Sequence, residues 1–347
     1  MTRSSSIAEA CIARLALSLG DPAGIGPEII AHAWANREEE QLEPFFVVGG
    51  AQVLRDSAKL RGLEVPVEIV ETTDAAGKVF GSALPVLGTD DCDYSPGDPD
   101  EAGARLALSS LKAATKLAIN GKVGAMATAP VAKSQLAKVG FNYPGQTEFL
   151  ADACELQEQD AVMMLAGPQL RAIPLTVHCA LAEVPGKLSV DLICQRAMIA
   201  SRALQRDFGI ENPRIAIAGL NPHAGEGGKF GDEDQCIITP AIDALRQQGF
   251  DVTGPHPADA MFSPHKRPSY DVALCMYHDQ ALIPVKALDF DQGVNVTLGL
   301  PIIRTSPDHG TAFDIAGKGI ANPNAMIAAI KMASHCAERR ASSDASG

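Results

Sequence analysis

Short apolar runs rich in β-branched residues alternate along the chain with longer segments in which apolar residues recur every three to four positions. The first kind reads as buried strand and the second as amphipathic helix, because side chains repeat every second residue on a strand and every 3.6 on a helix. Strands are predicted over 14–19, 45–48, 65–70, 123–128, 161–165, 170–177, 214–218, 272–276 and 294–296. Helices are predicted over 27–36, 51–60, 101–119, 147–154, 188–208, 233–248 and 324–338. Alternation of this kind implies a mainly parallel sheet flanked by helices. Two stretches break the rhythm: 90–100, dense in Pro, Gly and Asp, and 286–307, which reads as a long irregular loop. The polar, Ser-rich ends, 1–9 and 341–347, cannot bury apolar surface and are expected to be disordered.

Composition narrows the class. At 347 residues the chain exceeds one typical core, so two domains or one large α/β unit are expected. Acidic residues outnumber basic ones, 42 against 29, with a formal charge of −13 and no Lys or Arg run to track a phosphate backbone. Nucleic acid is therefore not an expected partner. No segment has the length of a membrane span, and the apolar start is broken by Arg14. The eight cysteines are scattered singly, without a Cys-x-x-Cys pair, as in a reduced cytoplasmic protein.

Candidate chemistry begins with three histidines. His178 and His278 each end a strand-like run, and His223 follows 214–218 in the string Asn221-Pro-His223. Strand carboxyl ends are where open α/β sheets bind ligands, and three imidazoles plus an open position suit a catalytic divalent metal. Asp259 and Asp279 could orient these rings, since a metal-bound imidazole donates its other N–H to an acceptor; Asp279 could instead cap the helix after His278. His32, His256, His265 and His335 read as surface residues. The first strand leads into Gly20, Asp21, Gly24, Gly26, Pro27 and Glu28, a turn suited to close ligand approach at a helix start but lacking the third glycine of a dinucleotide fingerprint.

One long string is distinctive: Asp308-His-Gly-Thr-Ala-Phe-Asp314-Ile-Ala-Gly-Lys-Gly-Ile-Ala-Asn322-Pro. It resembles the cofactor-binding stretch of isocitrate and isopropylmalate dehydrogenases, which bind the dinucleotide without a Rossmann motif. The chain from about residue 14 to about 340 is similar, within that superfamily, to the 4-hydroxythreonine-4-phosphate dehydrogenase family of pyridoxal phosphate (vitamin B6) biosynthesis. The strings that carry this are the Gly20–Glu28 turn, Thr128-Ala-Pro-Val-Ala-Lys133, Pro144-Gly-Gln-Thr-Glu148, Gly219 through Gly228, Met276-Tyr-His-Asp-Gln-Ala281 and Asp289 through Pro307.

The resemblance implies an isocitrate/isopropylmalate dehydrogenase-like fold, two α/β domains with a cleft between them. The expected division is 1–128 plus 295–347 on the cofactor side, and 129–294 on the metal, substrate and dimer side. It also implies metal-dependent oxidation by NAD or NADP of 4-phosphooxy-L-threonine to a 3-keto acid that decarboxylates to 3-amino-2-oxopropyl phosphate. By the same resemblance His178, His223 and His278 hold one divalent ion (zinc, magnesium or cobalt). Thr147, Lys286, Asn295 and Arg304 contact the substrate, and Asp308, His309, Gly310, Asp314 and Asn322 meet the cofactor. Lys133, after Thr128-Ala-Pro, is a further candidate to bind substrate or move a proton, with a helix-capping or surface lysine as the alternative. A homodimer with sites at its interface is implied as well. The chain departs from the family at Gln146, where the family has His; the carboxamide can donate and accept hydrogen bonds but carries no charge near pH 7. A related dehydrogenase acting on 4-phospho-D-threonate, 4-phospho-D-erythronate or an aromatic cis-dihydrodiol carboxylate is the nearest alternative. A non-catalytic metal or nucleotide sensor is the alternative from another class.

Overall fold

A computed structural model describes residues 15–344. The disorder expected over 1–9 and 345–347 concerns residues outside that range. Residues 341–344, expected to be disordered too, instead continue the last helix, Asn324–Asp344, with Ser342 Oγ donating to Glu338 O at 2.8 Å.

The described residues hold twelve strands. They are β1 (Leu15–Ser18), β2 (Phe45–Val48), β3 (Val67–Val70), β4 (Leu84–Leu87), β5 (Ala125–Thr128), β6 (Val162–Ala166), β7 (Arg171–Pro174), β8 (Ile215–Ala218), β9 (Val252–His256), β10 (Val272–Cys275), β11 (Val294–Leu298) and β12 (Arg304–Pro307). The chain forms two compact α/β units, one of residues up to 155 with those from 301 onward, the other of residues 156–300. These divisions fall later than 128/129 and 294/295. Helix Lys133–Lys138 packs on helix Glu101–Ile119 and so stays with the terminal unit, while β11 ladders with β6 and stays with the middle one.

In the terminal unit the strand order is β3-β4-β2-β1-β5-β12, all parallel. Every residue of β1, β2, β5 and β12 is buried, as parallel strands covered on both faces must be. Helices Glu101–Ile119 and Asn324–Asp344 both pack on β1 and β5. The first of these starts at Asp100, whose side chain accepts from Gly103 N at 2.8 Å, a cap worth about 1 kcal/mol.

In the middle unit the order is β11-β6-β7-β10-β8-β9. The pairs β11/β6 and β6/β7 are antiparallel, a departure from the mainly parallel expectation, and the remaining pairs are parallel. Helix His278–Asp289 buries Ala281, Leu282 and Val285 in a cluster with Leu165, Ala172, Ala273 and Cys275. Burying Leu282 and Val285 contributes on the order of 1.5–3 kcal/mol each and fixes where the helix begins.

The stretch 286–307 is not an irregular loop. It holds the end of helix His278–Asp289, a short turn at Phe290–Gln292, β11 and β12. Pro284 inside that helix hides it from a periodicity reading, since proline removes a backbone donor and ordinarily ends a helix.

Candidate active site

Two of the three singled-out histidines meet in the middle unit. His178 lies four residues beyond β7 with φ at 49°, and His278 is the first residue of its helix. Their ring centroids are 6.0 Å apart, and both line a pocket of about 280 Å³ together with Cys179, Leu181 and Asp279. His278 Nδ1 lies 2.7 Å from Asp279 Oδ1, which leaves Nε2 as the ring nitrogen that a metal ion could take. Asp279 sits in the first helical turn, not at the cap, which is Tyr277.

His223 does not line that pocket. It opens a run of five residues, His223 to Gly227, all with positive φ between 43° and 77°, a left-handed turn costly for the non-glycine members. Among the described residues no three His, Cys, Asp or Glu side chains group closely enough to hold a metal ion. One chain therefore brings together two imidazoles and one bracing carboxylate. Asp259 is exposed on the short helix Ala258–Met261.

Lys286 is half-buried about two turns along the helix from His278. Asn295, on β11, has its Oδ1 buried with no hydrogen-bond partner among the described residues. Such an orphan acceptor is costly unless something donates to it.

The terminal unit holds the second group. Arg304, on β12, is only 4% exposed. Its Nε and Nη2 donate to Thr128 Oγ1 at 3.1 and 2.7 Å, and Nη2 donates also to Gln146 Oε1 at 3.1 Å. Burial pushes the guanidinium down to about 10, partly offset by the Glu148 carboxylate, so it stays cationic at neutral pH. Gln146 and Thr147 open the helix Gln146–Ala153, whose cap, Gly145, supplies no side chain, so its first amides lack a capping partner. A Cβ added at Gly145 would come within 2.8 Å of Glu148 Oε2 and 3.5 Å of Lys133 Nζ, which puts Lys133 and Glu148 beside the same backbone. Glu148 Oε2 is itself buried and unpartnered among the described residues.

The stretch 308–322 is held against the first helix, Gly26–Ala35. Ile25 N donates to Thr311 O at 2.9 Å, and Gly317 N donates to Glu28 Oε1. Arg61 lies 3.5 Å from Glu28 Oε2, with both side chains under a tenth exposed, and donates to Ala321 O at 2.9 Å. Gly317 has φ at 75°, and an added Cβ would sit 2.6 Å from Pro96 Cβ, so no other residue fits there. His309, Gly310, Asp314 and Asn322 are exposed on this braced stretch, and Asp308 is partly so. Two carboxylates, a ring and free backbone suit ribose hydroxyls and a base.

Two of the histidines expected at the surface are partly buried. His32 Nδ1 is 2.6 Å from Arg61 Nη2, and burial together with the Arg61 charge lowers its pKa. His256 Nε2 is 2.9 Å from Thr253 Oγ1, and burial, Lys266 and Arg246 lower its pKa. His265 and His335 are exposed. Sequence reasoning did not single out Arg61 and took Glu28, Thr128 and Glu148 only as letters in motifs.

Residues 40–333 match the profile of the family described as pyridoxal phosphate biosynthetic protein PdxA. A 4-hydroxythreonine-4-phosphate dehydrogenase from Erythrobacter litoralis is 63% identical over 327 residues, covering 94% of this chain and 97% of that protein. The crystal structure of 4-hydroxythreonine-4-phosphate dehydrogenase from Klebsiella pneumoniae aligns with a TM-score of 0.84 at 40% identity, over 94% of this chain and 99% of that one. A terephthalate 1,2-cis-dihydrodiol dehydrogenase from Burkholderia xenovorans aligns with a TM-score of 0.63 at 32% identity, over 93% of this chain and 98% of that one. With the family profile spanning most of its length and this level of identity over nearly all of it, the chain belongs to the pyridoxal phosphate biosynthetic protein PdxA family.

Proposed function

We propose that this chain is a nicotinamide-dependent 4-hydroxythreonine-4-phosphate dehydrogenase that acts in pyridoxal phosphate biosynthesis. The observation that carries the reading is Arg304, a buried guanidinium forked onto Thr128 and Gln146 beside the free amides of a helix start. A fixed planar cation next to backbone donors is what a phosphate ester selects. Thr147, Lys286, Asn295 and Arg304 are assigned to hold the substrate.

The reaction takes a proton from the C3 hydroxyl and a hydride from C3. The resulting ketone is β to the carboxylate, so the C1–C2 bond breaks, carbon dioxide leaves, C2 takes up a proton and 3-amino-2-oxopropyl phosphate remains. A divalent cation and NAD or NADP, when bound, would supply charge stabilisation at the developing oxyanion and a hydride acceptor. His178 and His278 fit two positions of such a cation site, with Asp279 bracing one ring. Lys133 is assigned to hold or move the proton at Nζ. Asp259 is the candidate to orient a further imidazole, and Asp308, His309, Gly310, Asp314 and Asn322 are assigned to the cofactor.

Because one chain offers a pair of rings, the set is proposed to be completed in a homodimer, His223 supplying the third. Exposed apolar side chains support this. Leu181 lines the His pocket at 66% exposure, Ile283 on the His278 helix is 64% exposed, and Phe230 beside His223 is 48% exposed. Such residues near a site are the kind that association covers. We place the enzyme in the cytoplasm, where scattered cysteines without a Cys-x-x-Cys pair stay reduced.

The test is turnover by chelator-treated protein, followed by absorbance of the reduced nicotinamide. 4-Phosphooxy-L-threonine should be oxidised only after zinc, magnesium or cobalt is restored, and His178→Ala and His278→Ala should reduce the rate to background with the fold intact. Oxidation of 4-phospho-D-threonate, 4-phospho-D-erythronate or a cis-dihydrodiol carboxylate in its place would move the chain to the second reading, which Gln146 and the likeness to the dihydrodiol dehydrogenase favour.

A further inference from the structure

The three histidine-bearing segments leave different strands, yet a buried chain of hydrogen bonds ties them together. Thr176, two residues before His178 and 6% exposed, donates from Oγ1 to Met276 O at 2.9 Å. Met276, two residues before His278, donates its N–H to Gln280 Oε1 at 2.6 Å. Gln280, 8% exposed, donates from Nε2 to Gly219 O at 2.8 Å, where β8 gives way to the His223 loop. Asp234, 1% exposed, then accepts from Leu220 N at 3.0 Å and from Asn221 N and Nδ2 at 3.1 and 3.0 Å. Gly219 has no room for a side chain, since an added Cβ would lie 2.7 Å from Asp234 Oδ1 and 2.9 Å from Ala224 Cα.

Chemistry explains the amide at 280. Met276 N needs an acceptor and Gly219 O needs a donor, and an uncharged carboxamide offers both from one planar group. A glutamate of the same length would turn an acceptor toward the Gly219 carbonyl. Gln280 and Asp234 do not line the histidine pocket, and Thr176, which does, gives its hydroxyl proton to Met276 O, so what they contribute passes through the placement of the imidazoles.

We propose that Thr176, Gln280 and Asp234 are positioning residues: Thr176 and Gln280 set the spacing of His178 and His278, Asp234 sets the loop that presents His223, and together they set the metal affinity of the site. The proposal rests on the reading of those histidines as metal ligands. Groups that orient metal ligands from behind are typically worth about tenfold to a hundredfold in affinity, and these act one step further back, through the backbone.

The experiment is zinc binding by the purified full-length chain, measured by competition with a chromophoric chelator, alongside melting of the metal-free protein and binding of reduced nicotinamide by fluorescence. Gln280→Met, Gln280→Glu and Thr176→Val are expected to weaken zinc about tenfold or more while nicotinamide binding holds. Thr176→Ser, which keeps the hydroxyl, should stay near wild type. Zinc affinities within twofold of wild type in Q280M, Q280E and T176V would overturn the proposal, as would a T176S variant as weak as T176V. Parallel H178A and H278A proteins separate the two levels: if they bind zinc as wild type does, the metal reading falls and the positioning role falls with it.

Discussion

Arg304 and the histidine pair represent two ways of building a binding group. The guanidinium is buried, and Thr128 and Gln146 of the same unit hold it before any ligand arrives. The imidazoles are exposed enough to line an open pocket, one of them braced by a surface carboxylate, and among the described residues no third His, Cys, Asp or Glu groups with them. The difference teaches that the proposed phosphate-binding cation is held in place within one unit, whereas the proposed cation site waits on assembly.

The sharpest way to break that contrast is to prevent assembly. Leu181→Lys combined with Ile283→Glu should yield a monomer by light scattering and abolish both zinc-dependent turnover and tight zinc binding. A monomeric variant with full activity would show that one chain suffices. Next in size is Arg304→Lys, which keeps the charge but loses the fork. Hydrogen bonds to charged groups are worth about 1.5–3 kcal/mol, so KM for the phosphorylated substrate should rise roughly ten- to hundredfold with zinc affinity unchanged. A change in zinc binding would mean the two groups are not independent.

Gln146→His is a finer probe. If the carboxamide only anchors Arg304 and meets phosphate, restoring the family residue should shift KM several-fold and leave kcat nearly alone; an effect confined to kcat would contradict the binding role. The smallest expected effect concerns the brace under 308–322. Burial and Arg61 lower the His32 pKa, so the folded protein resists a proton that the unfolded chain takes up near its ordinary value of about 6.5. Stability from this source is therefore full above that value and is lost as pH falls below it toward the folded pKa. Melting temperature should drop on acidification from about pH 7 to about pH 5.5, and His32→Asn should flatten part of that slope. An unchanged slope would remove His32 from the brace.

Much of this was legible beforehand. The runs Phe45–Val48 and Ala51–Leu60 fall where periodicity puts them, because uninterrupted apolar or 3.6-spaced residues have few other ways to bury themselves. β12 was hidden, since Arg-Thr-Ser-Pro reads as polar; it is buried because β5 pairs with it and a helix covers it. Lys286 and Arg304 were singled out on the wrong ground, a loop that turns out to be helix and strand.

The sequence by itself determined the alternation of strands and helices, the family and the roster of candidate residues, because these depend on neighbours a few positions apart or on long matching strings. Only the tertiary structure decided which candidates meet. Arg304 finds Gln146 across 158 positions, and His178 meets His278 and not His223. Such encounters follow from strand order and register, which local pattern does not encode, and from backbone that a buried threonine, glutamine and aspartate hold in place.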